Sequence, residues 1–156
     1  MLKSLALLLA LTALPARAED APILAEYWTD SGSLPPEYAW ETTVTIREDG
    51  TLTLKHCKGY ETEGPACKHR RARVADDVLE TIRTAAAESG LADRPARETE
   101  TPMVGGGLTG GAVYVGGQKV KLLSQPAAID VERVGKVLAA IAEAIPPRFN
   151  RFTNPD

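Results

Sequence analysis

Apolar and polar positions alternate along residues 40–47. Trp40, Thr42, Val44 and Ile46 fall on one side, and Glu41, Thr43, Thr45 and Arg47 on the other. After Glu48-Asp49-Gly50 the alternation resumes, with Leu52, Leu54 and His56 opposed to Thr53, Lys55 and Cys57. A period of two belongs to a strand with one buried face. The same pattern selects the pairing. A two-residue Asp-Gly turn sets Ile46 opposite Thr53 and mixes the faces. A three-residue turn with Gly50 left-handed sets Ile46 opposite Leu52 and Val44 opposite Leu54, so this is the predicted register.

A second hairpin is predicted over residues 112–115 and 118–123. Gly116-Gly117 suits a tight primed turn. That turn aligns Val113 with Val120 on one face and puts Tyr114, Lys119 and Lys121 on the other. Residues 23–28 are short, apolar and β-prone, and the basic stretch 67–74 reads as a further strand after the first hairpin. Residues 30–36 (DSGSLPP) form a turn-rich loop, and residues 92–111 a long irregular stretch rich in Gly and Pro.

Two segments carry helical spacing. In the first, Val78, Leu79, Ile82, Ala85, Ala86 and Ser89 recur with a period near 3.6. Asp76 or Asp77 is the expected cap, and Gly90 the stop, with Leu91 folding back on Ala86. In the second, Val134, Leu138, Ile141 and Ile145 form the stripe. Asp130 is the expected cap, Ile129 is placed to staple onto Val134, and Pro146-Pro147 ends the helix. Strands then a helix, twice over, predict an α+β fold. It consists of two ββα-like halves, with a mostly antiparallel sheet and two helices packed on one face. The other sheet face is then left in water.

The start of the chain reads differently. Lys3 is followed by an apolar run over residues 5–11, then Pro15 and the small-x-small pattern Ala16-Arg17-Ala18. Residues 1–18 are therefore predicted to be a cleaved secretory signal peptide, which puts the mature protein in the periplasm or outside the cell. Residues 19–147 form the expected domain, and 148–156 a tail, polar apart from Phe149 and Phe152. No later segment approaches the ~20 apolar residues of a membrane span.

Composition is that of an ordinary globular domain, 44% hydrophobic and 25% charged. The net charge of −3 disfavours wholesale binding to nucleic acid, and cleavage would remove two of the 18 basic groups and none of the 21 acidic ones. Aromatics at 5% argue against a stacking platform for single strands.

Cys57 and Cys67 are the only cysteines. In an exported chain an even pair reads as a disulfide, worth about 2.5–3 kcal/mol for a ring of this length. Two Cys with His56 and His69 also make up the inventory of a tetrahedral zinc site. The spacing is wrong for a finger, however, and His56 and Cys57 point to opposite faces of a regular strand, so a metal carrier using His56 and His69 is the lesser alternative. The letters of Gly105-Gly106-Gly107-Leu108-Thr109-Gly110 fit a dinucleotide fingerprint. The strand before it and the helix after it are missing, and Gly111-Ala112 stands where a phosphate loop needs Lys-Ser/Thr, so no cofactor is expected.

Two surfaces suit binding. One is the cross-linked ring, with Tyr60, Glu61 and Glu63; a tethered loop loses less entropy when it is ordered. The other is the open sheet face, where Arg71 and Arg73 join Arg47, Lys55, Lys119 and Lys121, with Tyr114 and several Thr between them. Such a surface on an acidic protein would meet an envelope protein or an anionic polymer. No serine has a nucleophile-elbow context. The expectation is a non-enzymatic, disulfide-stapled binding or inhibitor-type module. The alternative is a carboxylate-dependent cell-envelope hydrolase, which requires a concave pocket under residues 105–111 holding at least two acids of raised pKa.

Overall fold

The computed structural model describes residues 21–59 and 67–153. The signal-like segment 1–18 and the ring residues Tyr60, Glu61 and Glu63 lie outside the described residues.

Six strands form one antiparallel sheet. They are β1 (Ile23–Asp30), β2 (Trp40–Arg47), β3 (Thr51–Lys58), β4 (Cys67–Arg73), β5 (Thr109–Val115) and β6 (Gln118–Leu122), in the spatial order β4-β3-β2-β1-β5-β6. Two longer helices, α1 (Asp76–Ser89) and α2 (Val131–Glu143), pack against each other, and a short α3 (Asn150–Thr153) closes the described chain.

Both predicted registers are observed. Ile46 faces Leu52 and Val44 faces Leu54 across a turn in which Gly50 has φ +81°. Val113 faces Val120 across Gly116-Gly117, whose φ values of +57° and +81° are those of a type I′ turn. Val44, Ile46, Leu52 and Leu54 are fully buried. They share one core with Val113, Val120 and Leu122 from the sheet, and with Leu79, Ile82, Val134, Val137 and Ile141 from the helices. Both helices therefore cover the same sheet face. In β1 the register shifts between Ile23 and Ala25, which buries both Leu24 and Ala25 although they are neighbours in sequence.

The helix ends depart from expectation. The residue at the N-cap of α1 is Ala75, which has no capping side chain, while Asp76 and Asp77 occupy the first turn, where their charge still suits the helix dipole. Gly90 ends α1 in the left-handed conformation, as its position implied. Asp130 stands at the N-cap of α2 but makes no capping bond. Its buried carboxylate instead accepts from the Arg97 backbone N–H at 3.0 Å and from the Arg133 guanidinium. These bonds hold it below the usual carboxylate range, the Arg97 N–H first among them. Arg133 also donates to the carbonyls of Ser89 and Arg94, so the cluster ties α2 to the segment after α1. Ile129 is 63% exposed and staples nothing.

Residues 147–153 are part of the packed domain. Phe149 and Phe152 are each 5% exposed and belong to the core. His56 Nδ1 lies 2.8 Å from the Thr42 hydroxyl, and that hydroxyl donates to the Phe152 carbonyl. A carbonyl only accepts and a hydroxyl has one proton, so the ring supplies Nδ1–H to Thr42. Trp40 and Phe152 flank the imidazole at centroid distances of 6.1 and 5.3 Å. Burial pushes the His56 pKa below 6.5; Lys58 and Lys68 act the same way, while the Phe152 carbonyl opposes them.

Candidate functional site

The sheet face turned away from the helices collects most of the candidate residues. Residues paired across neighbouring strands share a face, so the registers can be read as rows. One row crosses all six strands: Arg71, Thr53, Thr45, Glu26, Ala112 and Lys121, from β4 to β6. The next row runs His69, Lys55, Thr43, Trp28 and Gly110 across five strands. Tyr114 and Lys119 pair one step beyond on β5 and β6. Lys55, Arg71, Tyr114, Lys119 and Lys121 are thus brought to one surface, as the alternation implied.

Side-chain size gives this surface its relief. Long cations stand at the two ends of the six-strand row, and Thr53, Thr45, Ala112 and the Lys119-paired carboxylate of Glu26 lie between them. The result is a trough. One section is lined by Thr43, Thr45, Thr53, Lys55, His69 and Arg71. The adjoining section shares Thr43 and Thr45 and adds Glu26, Trp28, Ala112, Lys119 and Lys121. A third shares Leu123 and Ser124 with the second and continues past Gln125 to Glu98. At ~4.8 Å per strand spacing, the distance from β4 to β6 is about 24 Å.

Trp28 is the residue that sequence reasoning missed. Its indole lies across Gly110. A Cβ built on Gly110 would stand 2.6 Å from Trp28 Cζ2 and 2.8 Å from Cε2, closer than carbon atoms approach. Gly111 is equally constrained, because a Cβ there would meet the Glu26 carbonyl oxygen at 2.3 Å. The last glycines of the fingerprint-like run are therefore seats for β1, not a phosphate cradle. The preceding loop is anchored to the end of β1, where Asp30 Oδ1 accepts from Gly32 N–H at 2.7 Å and Leu108 N–H at 3.2 Å. A glycine inside a strand marks close approach of something else, and the pair Gly110-Gly111 before Ala112 was the available signal.

Charge on this face is organised as well as positive. Lys119 pairs with Glu26 and lies 5.7 Å from the Tyr114 ring centroid. The hydrogen bond that Lys119 donates to the Glu26 carboxylate is the main reason its pKa is raised. Lys121 is exposed at the β6 end and Arg71 at the β4 end.

Cys57 and Cys67 face each other across β3 and β4 and are joined by a disulfide. By strand parity they lie on the same face as Lys55 and Arg71, so the base of the ring stands on the trough's side of the sheet, one same-face pair beyond Lys55 and His69. His56 and His69 lie on opposite faces of the sheet, since His56 pairs with Lys68 and His69 with Lys55. Among the described residues, no three His, Cys, Asp or Glu side chains are grouped to hold a metal ion. The cavity beside residues 98–102 is lined by one carboxylate, Glu98. The carboxylates displaced from their ordinary range, Asp49 and Asp130, are both displaced downwards; for Asp49 the Thr51 backbone N–H is the first cause. No helix among the described residues is long and apolar enough to cross a membrane.

No protein-family model matches this chain, and no curated protein sequence is similar to it.

Proposed function

We propose that this chain is an exported binding module, disulfide-stapled and non-enzymatic, whose open sheet face receives an anionic partner. The observation that carries the proposal is the six-strand row with cations at both ends, running beside an indole pressed onto Gly110. Export is supported by the signal-like pattern of residues 1–18 and by the Cys57–Cys67 disulfide, a bond that persists in oxidising compartments. Binding is supported by relief and charge. A rigid antiparallel sheet presents its groups with little backbone ordering cost, and opposite charge steers the partner to it.

A share for the ring is supported by its base, the Cys57–Cys67 pair, lying on the same sheet face as Lys55 and Arg71. Replacing Tyr60, Glu61 and Glu63 together by Ala measures its share in binding.

The test is charge reversal at the trough. Lys55→Glu with Lys121→Glu is expected to abolish retention on an immobilised anionic polymer while the melting temperature stays within a few degrees of the parent. Lys121 is exposed and Lys55 half-buried on the solvent side of the sheet, both outside the core, so the two substitutions together are expected to cost about 1 kcal/mol. Undiminished retention of the folded variant would remove the sheet face from the proposal.

A further inference from the structure

From this face we infer the chemistry of its occupant: an extended acidic polysaccharide whose sugars carry carboxylates, laid along the trough across the strands. The inference rests on the proposed binding role of the face and specifies its ligand class.

Three features select that class. The first is shape. The trough continues from β4 to β6 and on past Ser124, open along its length, which suits a linear chain better than a compact ligand. The second is the composition of the lining. Hydroxyls of Thr43, Thr45 and Thr53 occupy the middle, Lys55, Arg71 and Lys121 stand around them, and the carboxylate of these two sections, Glu26, is offset by its ion pair with Lys119. A uronic-acid unit offers hydroxyls and one carboxylate in a single repeat, so both kinds of group find partners. The third is Trp28. Its ring is held over Gly110 at the floor of the second section, where an indole can stack on the apolar C–H face of a pyranose.

Other anionic partners fit less well. A protein partner is recognised through an apolar, aromatic-rich centre with a polar rim, whereas the trough here is lined mainly by hydroxyls and charges, with Tyr114 outside its lining. A nucleic-acid strand calls for several stacking rings in series, whereas the Trp28 indole and the His69 imidazole line separate sections.

The experiment titrates the full mature chain with three polymers, followed by calorimetry and by tryptophan emission in a Trp40→Phe background. Polygalacturonate carries rings and charge. Its full methyl ester carries rings without charge. Polyglutamate carries charge without rings. Polygalacturonate is expected to bind and to quench Trp28, and the ester to bind at least about tenfold more weakly. Trp28→Leu, which keeps an apolar side chain over Gly110, is expected to weaken polygalacturonate about tenfold and to leave polyglutamate unchanged. Lys121→Gln, on an exposed position, is expected to weaken both anionic polymers.

Polyglutamate binding as tightly as polygalacturonate, with Trp28→Leu indifferent for both, would overturn the sugar while leaving an anion-binding face. The ester binding as tightly as the acid would overturn the carboxylate requirement. Failure of the parent protein to bind either anionic polymer would overturn both the ligand class and the proposed function.

Discussion

Gly110→Ala puts the geometry of the site under direct strain. The added methyl would stand 2.6 Å from Trp28 Cζ2, 2.8 Å from Cε2 and 3.1 Å from the Leu122 carbonyl oxygen. Carbon atoms rest at about 3.5–4.0 Å, so the indole must withdraw by roughly 1 Å. Forcing a methyl into a packed site costs about 1–3 kcal/mol. Replacing Gly by Ala returns about 0.4–1 kcal/mol by restricting the unfolded chain. The net loss is the difference, about 0.5–2 kcal/mol, or roughly 2–8 °C in melting temperature for a domain of this size. Circular dichroism reads the melt, and tryptophan emission in a Trp40→Phe background reads Trp28 alone. Emission should move to longer wavelength as the ring lifts into water. An unchanged spectrum together with an unchanged melting temperature would mean that a methyl fits beside Gly110 without moving the ring, and the stacking floor of the trough would be lost with it.

Three other outcomes follow from the packing. Cys57→Ser with Cys67→Ser opens a link between residues 10 apart in sequence, which the chain-entropy relation values at about 2.7 kcal/mol. The variant should melt roughly 8–11 °C lower, and a loss under about 3 °C would show that the β3–β4 ladder already does the work of the bond. Thr42→Val keeps the shape but strips His56 Nδ1–H and the Phe152 carbonyl of their shared hydroxyl. An unpaired buried polar group costs about 1–3 kcal/mol, measurable by urea unfolding. His56 also sets a pH window. Its folded pKa lies below 6.5, so the unfolded chain takes up the proton first. Stability is full above about pH 6.5 and falls as the pH drops from there towards the folded value. Asp49 and Asp130, held low, lose their contributions only at more acid pH, below about 3.8. His56→Asn should therefore flatten the slope of stability between pH 7 and 5, and an unaltered slope would assign it elsewhere.

What could be read from the sequence was local. Ile46 opposite Leu52, Val113 opposite Val120 and the exposed row of Thr and Lys all follow from a period of two joined by turns of known length. The stripe of α1 followed from a period of 3.6, as did Val134 and Ile141 in α2, where Val137 is buried in place of the half-buried Leu138; the shared side of the helices followed from the need to bury two apolar stripes on one apolar sheet face. What could not be read was set by partners distant in sequence. The glycines at 110 and 111 make sense only once β1 pairs with β5, more than 80 residues away in the chain. Seen alone, they resemble a nucleotide loop. Asp130 carries the letter of a helix cap, yet the distant Arg97, through its backbone N–H, and Arg133 one turn along α2 compete for its carboxylate and win. Phe149 and Phe152 sit in a polar segment too short to show periodicity. Their place in the core depends on Thr42 and His56, which offer the Phe152 carbonyl and ring a site at the end of β2 and β3.

The central claim is that the partner sits on the sheet face opposite the helices. Amide chemical-shift mapping of the full mature chain during titration with polygalacturonate tests it residue by residue. Shifts should concentrate at Trp28, including its indole N–H, and at Thr43, Thr45, Thr53 and Lys121, leaving α1 and α2 unmoved. Saturable shifts confined to the α1–α2 surface around Glu80, Thr84 and Lys136 would contradict the account.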